Sequence, residues 1–194
     1  MKNLILASNN AHKVKEIKQI LTDYNILTLK EVNFTEDIIE DGDSFEENAL
    51  IKARTIAKYS GKAAIADDSG LSVDKLNGRP GVYSARYSPE QTDEKNIEKL
   101  LENLSDIEKN DRKAHFVSVV SIAFPDGTVK SFRGETQGEI LFEKEGNNGF
   151  GYDPVFYSYD LEKSLGVATI EEKKSVSHRG RAFEKLKKEV LEKL

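Results

Sequence analysis

The 194-residue sequence has no cysteine, no tryptophan, one methionine and only four prolines. Without cysteine there is no disulfide framework and no thiolate chemistry, which points to the reducing cytoplasm. His12, His115 and His178 do not form a zinc motif, and a structural zinc site without thiolates is not expected. Pro/Gly-rich linkers, low-complexity tracts and internal repeats are absent, so a single domain spanning 1–194 is expected. No apolar run approaches the roughly 20 residues of a membrane helix. Ser8, Asn9 and Asn10 cut short the N-terminal run before it reaches signal-peptide length. The expectation is a protein with no membrane partner. Three chemistry-bearing signatures are also missing: the phosphate-binding Gly-x-x-x-x-Gly-Lys-Ser/Thr loop, the Gly-x-Ser-x-Gly elbow of serine hydrolases and the full dinucleotide fingerprint.

What is present is a core-forming balance of 38% hydrophobic and 32% charged residues, with a net charge of −5. That balance excludes wholesale disorder, and the absence of a basic excess argues against a nucleic-acid partner. Leu4-Ile5-Leu6-Ala7 reads as a buried strand, and Val14, Ile17, Ile20 and Leu21 recur at helical spacing. Ile26–Leu29 is a second strand. Ser44-Phe45-Glu46-Glu47 has the form of a capping box opening a helix through Ala49, Ala53, Ile56 and Ala57, closed by Gly61. Ala63–Ala66 reads as a strand that ends at Asp67-Asp68-Ser69-Gly70. Thr92 caps a helix with Ile97, Leu100, Leu101 and Leu104. Residues 115–124 and 129–132 form a hairpin about Pro125-Asp126-Gly127, and Ile140-Leu141-Phe142 adds a strand. Phe183, Leu186, Val190 and Leu194 make the apolar stripe of a last helix. The pattern is α/β, a mixed sheet flanked by helices.

Five segments have the residue types for chemistry, each with a plainer reading beside it. Ser8-Asn9-Asn10-Ala11-His12-Lys13 joins the first strand to the first helix, where backbone amides and a lysine suit phosphate oxygens; an ordinary helix cap fits equally well. Glu40-Asp41-Gly42-Asp43 offers carboxylates to a hard divalent cation, or is a solvated acidic loop. Asp67 and Asp68 follow an apolar strand, where two carboxylates are costly without a cation; the alternative is an Asx-type turn. Gly149 to Pro154 supplies close backbone approach, flat aromatic faces in Phe150 and Tyr152, and an acceptor in Asp153; it also serves as a structural turn. Lys173, Ser177, His178 and Arg179 surround a helix start as a phosphate or carbonyl clamp, or are a charged helix entrance. Lys52 is a phosphate contact or a surface lysine. On these residues alone the chain is a metal-assisted phosphate enzyme with its substrate open.

Taken in order, Ser8-x-Asn10-x-x-Lys13, Phe45-x-Glu47-Asn48-Ala49-x-x-Lys52-Ala53, Ala66-Asp67-Asp68-Ser69-Gly70-Leu71, Pro80–Arg86, Phe150-Gly151-Tyr152-Asp153-Pro154 and Ser177-His178-Arg179-Gly180 closely resemble the non-standard purine nucleoside triphosphate pyrophosphatases (the inosine triphosphatase, or HAM1-like, family). The resemblance runs from near residue 4 to near residue 190. It implies an elongated α/β fold with two lobes around a central substrate cleft, assembled as a homodimer. It implies Mg²⁺-dependent hydrolysis of ITP, dITP or XTP to the monophosphate and pyrophosphate, which cleanses the nucleotide pool.

Residue by residue, the resemblance implies that the segment from Ser8 through Asn9, Asn10, Ala11 and His12 to Lys13 holds the triphosphate, with Lys52 nearby. Glu40, Asp67 and Asp68 surround Mg²⁺, and Asp68 is the general base. Ser69 touches substrate. Phe150, Gly151, Tyr152, Asp153, Lys173, His178 and Arg179 hold the purine and read its 6-oxo group. His12 stands where many bacterial members have glycine, a departure expected to tune phosphate binding. Deamination turns a 6-amino donor into a carbonyl acceptor, which the cations Lys173 and Arg179 favour. Two rival readings remain: a non-catalytic nucleotide-binding protein on the same fold, and a pyrophosphatase for modified pyrimidine nucleotides.

Overall fold

A computed structural model describes residues 2–193. Seven strands form one mixed sheet in the order β2-β1-β3-β4-β5-β6-β7, with helices between them along the chain, as the α/β pattern required. β1 (Lys2–Leu6) pairs parallel with β2 (Tyr24–Thr28) and with β3 (Ala64–Val73). β4 (Lys113–Ala123) and β5 (Val129–Ile140) follow, and β5, β6 (Phe156–Ser158) and β7 (Lys163–Ser164) pair antiparallel. The helices are α1 (Ala11–Ile20), α2 (Phe45–Ser60), α3 (Asp93–Asn103), α4 (Ile170–Val176) and α5 (His178–Glu189).

Each helix start follows from its cap. Asn10 opens α1 by accepting from the His12 and Lys13 amides, and Thr92 opens α3 by accepting from Lys95. Thr169 and Glu172 close a full capping box on α4. At α2 only half of the expected box forms. Ser44 Oγ accepts from the Glu47 amide, but the Glu47 carboxylate reaches back one residue further, to the Asp43 amide at 2.7 Å. Gly61 ends α2 in the left-handed conformation, as expected of a glycine just past a helix.

Two strand spans differ from the sequence reading, and α4, which carries Lys173, is a separate helix rather than the entrance to the last one. β3 does not stop at Ala66; it continues through Asp67-Asp68-Ser69-Gly70 to Val73. Local turn chemistry loses there because Leu71 and Val73 are fully buried and pull the strand onward. The strand expected near Ile140 is the end of β5, which runs unbroken for 12 residues. The apolar stripe of the last helix is as expected at Phe183 and Leu186 of α5 and at Val190 just beyond it, all buried. Leu194, its fourth member, lies outside the described residues.

The chain divides into two compact units: 1–68, 118–134 and 181–194 in the first, 69–117 and 135–180 in the second. In the first, strand alternation sorts side chains onto two faces. Leu4, Leu6, Ile65, Val120 and Ile122 pack with Ile17 of α1 and with Phe183 and Leu186 of α5. Ile5, Ala7, Ala64, Ala66 and Ala123 pack with Ala53, Ile56 and Ala57 of α2. In the second, Leu71, Val73, Leu100, Phe116, Val155 and Phe156 form the core.

The second unit also buries Arg112, only 2% exposed. Its Nε donates to the Ile140 carbonyl at 2.8 Å, Nη1 to Leu104 at 2.7 Å and Ile107 at 3.3 Å, and Nη2 to Leu141 at 3.0 Å. The guanidinium fork thereby ties the end of α3 and its following loop to the end of β5, with the Phe142 ring over its cation. Burial pulls its pKa down. Arg112→Leu leaves these carbonyls without their donors, so urea unfolding should show a loss of about 2–4 kcal/mol. Arg112→Lys, a point charge that cannot span four carbonyls, should recover less than half of it.

Candidate active site

The alternation that builds the first unit's two cores also separates its two aspartates. Asp67 has the parity of Ile65 and points to the α1 face; Asp68 has the parity of Ala64 and Ala66 and points to the α2 face. On the α1 face, Lys13 Nζ lies 2.9 Å from Asp67 Oδ2. Ser118 of β4 donates a hydrogen bond to Asp67 Oδ1. On the α2 face, Lys52 Nζ sits 2.7 Å from Glu40 Oε2, 3.6 Å from Asp68 Oδ1 and 3.0 Å from the Asp67 carbonyl. Lys52 is buried, so the surface-lysine reading fails.

Of the three carboxylates expected around Mg²⁺, Glu40 and Asp68 therefore meet on Lys52, while Asp67 turns its carboxylate to Lys13 and Ser118. Asp68 Oδ2 is buried with no hydrogen-bond partner among the described residues. Burial holds the Asp68 carboxyl above the ordinary carboxylate range; Glu40 and Asp67 push the same way, and Lys52 and Lys13 pull against it. An orphaned carboxylate oxygen beside a second carboxylate is a donor set that fits a hard divalent cation. Among the described residues no group of three or more His, Cys, Asp or Glu is placed to hold a metal, so a cation here would have two protein carboxylates.

The phosphate-loop candidates sit at the start of α1. Asn10 Oδ1 accepts from the His12 amide at 3.0 Å and the Lys13 amide at 3.1 Å, and Ser8 Oγ accepts from the Asn10 amide at 3.2 Å. The cap reading of these side chains is realised, and it orders the loop. Asn9, Ala11 and His12 are exposed along it.

In the second unit the sequence segments also converge. Asp153 Oδ2 accepts from the Phe150 amide at 2.9 Å and from Lys173 Nζ. Lys173 Nζ lies 4.5 Å from the centroid of the Phe150 ring, a cation–π contact. Gly149 has φ of +80°, and a Cβ there would come within 2.0 Å of Asp153 Oδ2, so only glycine permits the turn. The Gly151 amide donates to Asp93 Oδ2 at 2.7 Å. Tyr152 is buried, its hydroxyl donating to the Ser84 carbonyl and its pKa pushed up by burial. Arg179, also buried, donates from Nη2 to Ser69 Oγ at 2.9 Å. The His178 ring stacks on Phe116 at 5.1 Å. Ser177 Oγ accepts from the Gly180 amide at the start of α5.

Three contributors were not singled out from sequence. Ser118 sits in a Val- and Ile-rich strand, and only its parity with Val120 and Ile122 signals that it shares a face with Asp67. Asn48 and Asp93 hold loop backbone; their position in the first turn of a helix was the available signal.

The first unit thus holds a buried lysine–carboxylate cluster, and the second an aromatic turn with Lys173 against the Phe150 ring. The Ham1 family model matches residues 4–189, and the chain belongs to that family. It is 50% identical over 196 residues to a dITP/XTP pyrophosphatase of Clostridium perfringens, with 96% of each chain covered. It is 48% identical to a dITP/XTP pyrophosphatase of Bacillus subtilis, with 97% of this chain and 96% of that one covered. Among solved structures, the Ham1 protein of Staphylococcus aureus matches with a TM-score of 0.91 at 44% identity, covering 100% of both chains.

The raised pKa of Asp68 has a consequence for stability. Its folded form keeps the proton to higher pH than the unfolded chain does, so stability falls as pH climbs from the ordinary carboxylate range through the folded value. Asp68→Asn removes that penalty. In metal-free buffer the variant should match the parent in acid, be the more stable of the two at neutral pH, and hold that difference above it. Chemical denaturation at several pH values measures this.

Proposed function

We propose that this chain hydrolyses dITP, ITP and XTP to the nucleoside monophosphate and pyrophosphate, removing non-standard purine nucleotides from the pool. The observation that carries the mechanism is the Asp68 carboxylate, buried, held by Lys52 through one oxygen and unpartnered at the other. That unpartnered oxygen is placed to take the proton of a water attacking the α-phosphorus. Pyrophosphate leaves from the opposite side of that phosphorus. Lys13 and Lys52 offset the phosphate charge, and the ordered loop from Ser8 to Lys13 presents the start of α1 to it.

Glu40 and Asp68 would hold Mg²⁺, which when bound would supply neutralisation of the phosphate charge. Asp67 serves this site through its carbonyl, which holds Lys52, and through its carboxylate, which fixes Lys13. Phe150 to Asp153, with Ser69, Lys173, His178 and Arg179, receive the base. Lys173 and Arg179 match a 6-carbonyl acceptor and leave a 6-amino donor unmatched; guanine shares that carbonyl, so rejection of GTP rests on its 2-amino group, and an unpaired buried polar group can reject a substrate strongly. The motif resemblance supports a homodimer, and the lack of cysteine supports the cytoplasm as its place of action.

Pyrophosphate release from ITP, dITP, XTP, ATP and GTP, with and without Mg²⁺, tests the reading. Turnover of the first three should depend on Mg²⁺ and far exceed that of ATP and GTP. Asp68→Asn should lower kcat by about 10²–10⁴-fold while the protein stays folded. Equal turnover of all five nucleotides, or full activity in Asp68→Asn, would contradict it.

A further inference from the structure

Glu40 lies on a loop without regular secondary structure, half out in solvent, yet its carboxylate meets Lys52 at 2.7 Å. The first turn of α2 supplies the restraint. Asn48, 1% exposed, accepts the Gly42 amide on Oδ1 at 2.9 Å, and Glu47 accepts the next amide, Asp43, at 2.7 Å. Two consecutive backbone donors, two and three residues after Glu40, are thus clasped by two consecutive helix side chains. The approach is too close for any residue but glycine at position 42. A Cβ there would fall 2.6 Å from Glu47 Cβ and 2.8 Å from Asn48 Oδ1. Asn48 and Lys52 are one helical turn apart, so one face of α2 holds both the loop's backbone and the end of its carboxylate.

We infer that Asn48 and Gly42 form a latch that positions Glu40 beside Asp68, making Asn48 a positioning residue for the divalent cation. The inference rests on Glu40 and Asp68 as the ion's carboxylates. Groups that orient a metal's ligands commonly account for about 10–100-fold in metal affinity. A helix-capping role alone would change stability and leave metal binding untouched.

The test measures Mn²⁺ binding to the nucleotide-free protein by the loss of the free-ion paramagnetic resonance signal, beside the Mg²⁺ concentration for half-maximal pyrophosphate release. Gly42→Ala attacks the latch from the loop side, Asn48→Ala from the helix side, and Glu40→Gln is the reference. Each latch variant should weaken Mn²⁺ binding about tenfold and raise the half-maximal Mg²⁺ concentration by a similar factor. The double variant should be no worse than about the weaker-binding single, because both break one contact. Affinities within twofold of the parent in folded Gly42→Ala would overturn the latch. If Glu40→Gln also binds Mn²⁺ like the parent, the assignment of Glu40 to the metal fails instead. Should Asn48→Ala not fold, Gly42→Ala alone decides the question.

Discussion

The burial of the Lys52 ammonium is the constraint on which the site depends. A lysine taken out of water is tolerated only when oxygens replace its hydration. Here they come from three places: the Glu40 carboxylate on a loop, the Asp68 carboxylate and the Asp67 carbonyl on β3. One cation thereby joins α2, β3 and the acidic loop. It also permits the next unusual feature, a carboxylate with one oxygen left unpartnered in the interior. Lys52 lessens the cost of the Asp68 charge without removing it, and burial leaves that carboxyl above the ordinary range.

The two-residue period of a strand turns a pair of adjacent aspartates into two different instruments. Asp67, on the face shared with α1, is locked between Lys13 and Ser118 and acts as an anchor. Asp68, on the face shared with α2, keeps an oxygen available for chemistry. A turn at this position would place the two carboxylates side by side with no such division. The aromatic turn of the second unit follows a similar logic. There Asp153 holds both the Phe150 backbone and Lys173, and Gly149 makes the approach feasible.

Much of the fold was legible because its signals are local. The caps at Asn10, Ser44 and Thr92 and the stop at Gly61 need only their own neighbours. The candidate segments also supplied residues that come together, though not their pairing: Lys13 with Asp67, Glu40 with Lys52 and Asp68, Asp153 with Lys173. What was not legible depends on pairing across the chain. Asp-Asp-Ser-Gly is good turn chemistry in isolation, and only the burial of Leu71 and Val73 beyond it keeps β3 extended. The opposite facing of Asp67 and Asp68 follows once the strand is known to continue, and Ser118 needs the sheet order as well. Asn10 was ambiguous between cap and phosphate ligand because the two uses demand the same residue.

The claim that Asp68 directs water to the α-phosphorus is tested most directly by hydrolysing ITP in ¹⁸O-labelled water and locating the label by mass spectrometry. A single turnover at the α-phosphorus places one ¹⁸O in the monophosphate and none in pyrophosphate. Label in pyrophosphate, or release of labelled orthophosphate, would mean that attack falls on another phosphorus and that the role given to Asp68 is wrong.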